Sequence, residues 1–220
     1  MITYDLNKLS VSDVNRSLRD HNSTEEVIVV NPGAQHLLGV GLEGGPNITI
    51  RGNVGYYCGG LSYDARLLIE GSAGWYLADN FEGGLLIVEG NAGTGIVPGM
   101  VSGTVVVRGN IGSRAGQVMK GGTLLAFGNA GFMTGFTMMG GRIVICGNVG
   151  GMLGHYMFAG EIFVGGEVES LGRDCRESDM TQSDQAEIQS LLSSHGAPDN
   201  ITFRKFICGG EELREKESVY

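Results

Sequence analysis

Glycine recurs in this chain at Gly33, Gly52, Gly71, Gly90, Gly109, Gly128, Gly147 and Gly166, an unbroken spacing of nineteen residues. The copies from Gly52 to Gly147 open a G-x-x-G. Four of these extend to a third glycine: Gly52, Gly55 and Gly59; Gly109, Gly112 and Gly116; Gly128, Gly131 and Gly135; Gly147, Gly150 and Gly154. The copies at Gly71 and Gly90 keep Gly74 and Gly93 and place Ala78 and Val97 third, while the outermost copies decay, with His36 and Glu169 where the second glycine belongs. A fixed period sustained this long requires each unit to stack on the one before it, so the architecture is that of a repeat protein.

A short apolar run precedes the glycines: NITIR, RLLIE, LLIVE, TVVVR, TLLAF, RIVIC and EIFVG. Runs of five bounded by glycine, with no helical segment between them, read as strands whose alternate residues share a face. One inward row is Ile48, Leu67, Leu86, Val105, Leu124, Ile143 and Ile162, and a second is Ile50, Ile69, Val88, Val107, Ala126, Ile145 and Val164. Phe81, Met100, Met119, Met138 and Met157 recur ten residues past an opening glycine and are expected to fill the same core from another wall. The fold predicted is all-β, a single-stranded right-handed parallel β-helix of seven to eight coils stacked at about 4.8 Å.

The 39 glycines against 4 prolines then have a mechanical origin. They do not fall at every third position, which excludes collagen, and an apolar content of 42% excludes a disordered chain. At a repeated corner a Cβ would meet its own copy in the coils above and below, and several corners call for positive φ. Asn53, Asn91, Asn110, Asn129 and Asn148 follow opening glycines. There asparagine is expected to tolerate the left-handed region and to bond to the neighbouring coil.

Three segments follow: an N-terminal helical and strand cap over 1–30, the β-helix over 31–172, and a C-terminal tail with one helix over 173–220. Val11, Val14 and Leu18 share a helical face within 10–21, and Ala186, Ile188, Leu191 and Leu192 share another within 183–195. Such end pieces cover strand edges that terminal coils would expose.

The net charge of −9 argues against nucleic acid as a partner. The first twenty residues hold no apolar leader, and no stretch of 18 apolar residues occurs, so a soluble cytoplasmic chain without a membrane partner is expected. Cys58, Cys146, Cys175 and Cys208 form no C-x-x-C and read as reduced thiols. His21, His36, His155 and His195 are scattered, so no metal, cofactor or catalytic residue is assigned to this chain. The glycine pattern at Gly39–Gly44 lacks the helix that dinucleotide binding needs. Glu70 and Glu89 lie in one ladder with Arg51 and Arg108 and read as a solvated, self-compensating row. Tyr56, Tyr57, Trp75 and Tyr76 gather at neighbouring corners, where they could cover a coil end or anchor a partner.

The middle residue of each strand should face outward, yet these positions read Leu68, Ile87, Val106, Leu125, Val144 and Phe163. An apolar outer row needs a cover, either the chain's own C-terminal helix or another protein, and it is the candidate interface.

The repeats, in segments such as GGLLIVEGNAG and GGRIVICGNVG, resemble the C-terminal β-helix domain of the glutamate synthase large subunit, over about residues 25–172. ESLGRDC and FRKF are similar to the tails of its free-standing versions, found in split glutamate synthases and N-methylglutamate synthases. The resemblance implies a non-catalytic scaffold whose partners are an amidotransferase subunit and an FMN and iron–sulfur synthase subunit. Self-association is compatible with that role. The nucleophilic cysteine that begins such amidotransferases has no counterpart here, where Ile2 follows Met1. Two alternatives stand beside it: a scaffold component of formylmethanofuran dehydrogenase, in which a related repeat occurs, and a self-sufficient β-helical carbohydrate-active enzyme with its site in a groove along the coils.

Overall fold

A computed structural model describes residues 1–20, 26–198 and 200–210. His21 and residues 211–220 of the predicted tail lie outside the described residues. The chain is a parallel β-solenoid of about seven turns. Strands β1 (Ile2–Asp5), β2 (Val27–Val30), β3 (Asn47–Arg51), β4 (Tyr63–Ile69), β5 (Glu82–Val88), β6 (Ser102–Val107), β7 (Thr123–Ala126), β8 (Met139–Ile145) and β9 (Ala159–Val164) stack in chain order, all parallel. From β3 to β9 the register advances by the sequence period, Ile48 against Leu67 and Leu124 against Ile143.

A second wall is built from the residue two past each opening glycine, where single bridges link Val54, Ala73, Ala92, Ile111, Ala130, Val149 and Val168 in turn. The sequence shows this row only as small apolar residues inside G-x-x-G. The remaining corners are bonded coil to coil as well, as in Tyr57 N–H to Trp75 O at 2.9 Å and Leu61 N–H to Asp79 O at 2.7 Å. Both inward rows of strand residues, the bridge row and the Phe81–Met157 row fill one core, with Phe81, Met100, Met119 and Met138 fully buried.

Two glycine positions show different physics. From Gly71 to Gly166 the opening glycines answer to close approach: a Cβ on Gly128 would stand 2.8 Å from the Gly109 carbonyl carbon. The third glycine answers to φ: Gly59, Gly116, Gly135 and Gly154 all have φ between 64° and 75°, and Ala78 and Val97 adopt φ 55° and 50° in the same corner.

The asparagine row meets one expectation, the bond to the neighbouring coil, and not the other, a left-handed backbone. None of Asn53, Asn91, Asn110, Asn129 and Asn148 has positive φ. Each side-chain oxygen instead accepts the backbone N–H of the equivalent residue one coil on, at 2.7–2.9 Å. Between Gly52 and Gly147, Ser72 completes the row in the one coil without asparagine, its Oγ accepting from Asn91 N–H at 3.1 Å. The selected property is acceptor reach, not backbone tolerance.

The two ends are closed differently. At the start, helix α1 (Val11–Arg19) is capped by Ser10 and buries Val14 and Leu18 on the first coil. Its Asn15 stands in for a missing coil, donating to Leu37 O at 2.6 Å and accepting from Gly39 N–H at 2.7 Å. At the far end, strand β11 (Arg204–Cys208) runs antiparallel along β9 and carries β10 (Cys175–Ser178) on its outer side. These two strands belong to the tail, for which the sequence suggested only a helix. Between them in the chain lies helix α2 (Gln182–His195), with a Thr181–Asp184 capping box and Gly196 at φ 66° ending it.

Candidate functional site

The candidate interface row divides in two. Val106, Leu125, Val144 and Phe163 are fully buried beneath Ile188 and Leu192 of α2, with Phe203 and Ile201 beside them. Of the two covers considered, the chain's own helix therefore takes these four positions, and they are not a free surface. The cover ends there because α2 is fourteen residues long and spans about 21 Å. Leu68 and Ile87, on β4 and β5, stay half-buried, Ile87 packing against the edge of the covered layer.

Polar contacts hold α2 along its length. Ala186, expected on the apolar face, is exposed, and Asp184 takes the inward position. Asp184 meets the buried Lys205 ammonium at 3.0 Å, and that ammonium also pairs with Glu161. Arg142 joins Glu161 at 3.0 Å to Glu187 at 2.7 Å. At the C-terminus, Arg108 donates to His195 O at 2.9 Å while its Nε pairs with Glu89. Burial acts to raise the Asp184 carboxyl, but the Thr181 N–H and Lys205 hold it below its ordinary value. Arg142 and Ser183 lower Glu187 likewise. Arg51 pairs with Glu70 at 3.6 Å, so the Arg–Glu ladder is self-compensating, and only its Arg108 end is recruited to hold the helix.

The corner aromatics do not cover a coil end. They stack along the solenoid, coil on coil: His36 on Tyr56 with centroids 4.4 Å apart, Tyr56 on Trp75 at 5.0 Å, and Tyr57 on Tyr76 at 5.0 Å. His36 enters because its Nδ1 accepts Tyr56 N–H at 2.9 Å, and Gly55 leaves the space its ring occupies. The sequence showed His36 only as a failed glycine. The residue that replaces the repeat's second glycine is thus the one that begins the stack. Trp75 remains 49% exposed, and Leu37, Leu61 and Tyr63 are exposed on the same N-terminal half. The far half carries a smaller counterpart, where His155 accepts Arg173 N–H at 3.0 Å and packs on Phe136 and Tyr156.

The repeat glycines serve the frame. No group of three or more His, Cys, Asp or Glu is placed to hold a metal ion among the described residues. Burial pushes the Cys58 thiol up to about 12 and the Cys146 thiol up to about 11, which leaves neither ionised near neutrality. Burial also raises Asp79, against the opposing hydrogen bond from Asn80. No described helix is long and apolar enough to cross a membrane. What the geometry offers is contact surface: a stacked aromatic corner and the half-buried pair Leu68 and Ile87 at the edge of the α2 layer, both fixed to a hydrogen-bonded frame. The chain matches no family model and no curated protein sequence.

Proposed function

We propose that this chain is a non-catalytic scaffold subunit of a glutamate synthase-like complex, holding an amidotransferase subunit and an FMN-dependent, iron–sulfur-containing synthase subunit in fixed relation. The observation that carries the reading is a frame bonded coil to coil at several corners, with an exposed aromatic corner and the half-buried Leu68 and Ile87 on its N-terminal half. Ammonia released at one active site and consumed at another is lost to solvent unless the two are held in register, and a rigid spacer supplies that register. Aromatic residues are favoured interface anchors, so the Trp75 corner suits one partner and the Leu68 and Ile87 pair the other.

The test is co-expression of the three chains, followed by co-purification and glutamine-dependent turnover. Trp75→Ala and Leu68→Arg are each expected to release one partner while the other stays bound, and to uncouple glutamine hydrolysis from synthesis. A chain that binds neither partner, or a complex whose coupling ignores both substitutions, overturns the reading.

A further inference from the structure

The strands that close the C-terminal end each carry one cysteine. In the register of β10 against β11, Cys175 stands directly opposite Cys208. The adjacent pair is joined by Gly209 N–H donating to Asp174 O at 2.8 Å. That bond makes Cys175 and Cys208 a non-hydrogen-bonded pair, the class whose Cα atoms approach to about 4.5 Å with side chains on one face. A disulfide spans Cα separations of about 4.4–6.8 Å. Both side chains lie on the end of the main core, Cys175 buried and Cys208 half-buried, and both are free thiols. Gly210 N–H points at the Cys208 sulfur from 3.4 Å.

We propose that Cys175 and Cys208 form a reversible disulfide site, oxidised by small-molecule disulfides of the glutathione type, that locks the C-terminal cap. Cys208, the accessible member, attacks the small disulfide as its thiolate, forming a mixed disulfide and releasing one thiol. Cys175 then attacks the Cys208 sulfur. The new Cys175–Cys208 bond forms as the bond to the small thiol breaks, and the proton leaving Cys175 ends on the departing thiolate. One small disulfide is reduced to two thiols and two cysteines are oxidised to one cystine. Burial, with Cys208 adding to it, pushes the Cys175 thiol up to about 12, which keeps this sulfur from reacting first. The bond closes residues 175–208 into a ring that contains α2. It thereby fastens β10, an outermost strand of the sheet, together with the cover over Val106, Leu125, Val144 and Phe163.

The reduced full-length protein is treated with oxidised glutathione and followed by intact mass and tryptic mapping. Cleavage after Arg173, Arg176 and Lys205 separates the two cysteines. The expected product is two hydrogens lighter, with peptide 174–176 joined to the peptide that begins at Phe206. Its melting temperature rises by roughly 5 °C or more, and dithiothreitol reverses both changes. Cys175→Ser is expected to keep glutathione on Cys208. A wild-type protein that also retains that adduct, that links other cysteines, or that does not react overturns the proposal, and these readings do not depend on how well the variant folds.

Discussion

Neighbouring residues of one strand lead to two differently built cores. Leu124 points into the solenoid, where every surrounding wall is a copy of the same nineteen-residue unit bonded to the next. Leu125 points the other way, into a layer closed by a helix from outside the repeat and fastened by individual ion pairs. Both are fully buried. The inner core cannot open without breaking coil-to-coil bonds on several walls. The outer layer can open by releasing α2 and the flanking segment that carries Ile201 and Phe203, so its loss is capped at the free energy of docking that cover.

Leu124→Ala and Leu125→Ala turn that difference into the largest expected effect. Truncation in the inner core is expected to cost about 3–5 kcal/mol, and in the outer layer about 2 kcal/mol, because the helix can readjust or leave. Urea midpoints measure both, and amide exchange separates them: Leu125→Ala should accelerate exchange in α2 while β6 to β8 stay protected. Equal costs, or global exchange in both variants, would show that the cover is integral to the fold.

Removing the ion that holds the cover is the next step down. Lys205→Met leaves the buried Asp184 carboxylate without its ammonium, at an expected cost of about 1–3 kcal/mol. The same contacts give the cover a pH range. Asp184 and Glu187 titrate below their ordinary values when folded, so their contribution is complete above about pH 5 and fades as the pH falls through the depressed values. Lys205 titrates above its ordinary value, since Glu161 and Asp184 outweigh the effect of its burial. Its contribution is complete below about pH 10 and is lost as the pH rises through the raised value. Binding of an apolar dye should therefore be minimal between these limits and increase beyond both. Dye binding that is flat with pH in the wild type would remove these groups from the fastening.

The same contrast decides what was legible in the sequence. A property shared by every coil is written many times, so the strand rows, the methionine row and the glycine spacing could be read directly. The cover is written once. The helical face over 183–195 was visible, but nothing in spacing says that Asp184 rather than Ala186 turns inward, because its partner Lys205 is twenty-one residues away. The antiparallel strands of the tail were hidden for the same reason. Within the coils, the left-handed corners five residues past the opening glycine left no compositional trace. Tyr57, Tyr76, Arg114, Met133 and Met152 all sit there at φ near 60°. Backbone bonding to the neighbouring coils holds each in place, so selection on side chain is weak.

The asparagine row sharpens the inner side of the comparison at lower amplitude. Asn110 accepts Asn129 N–H at 2.8 Å, and its own N–H is held by Asn91 at 2.7 Å. Asn110→Ala removes one exposed cross-coil bond and is expected to cost about 1 kcal/mol. Asn110→Ser should cost less than half of that, because Ser72 already performs the same task two coils back in the same row. Thermal melts of the pair read the difference. If serine is as damaging as alanine, acceptor reach is not what the position requires.

The smallest effect has the opposite sign. Leu61 holds φ 55° at a corner where the equivalent residue of another coil is Gly99, and its side chain is 69% exposed. An exposed leucine contributes little packing, while a left-handed backbone costs a branched side chain on the order of 1 kcal/mol that glycine avoids. Leu61→Gly also gives the unfolded chain more freedom, which offsets part of that relief. The net expectation is a gain of about 0.5 kcal/mol, visible as a small rise in urea midpoint with an unchanged slope. A loss of 1 kcal/mol or more would mean that Leu61 packs against the aromatic corner more firmly than its exposure indicates. The stack would then be part of the frame's stability rather than surface held open for a partner.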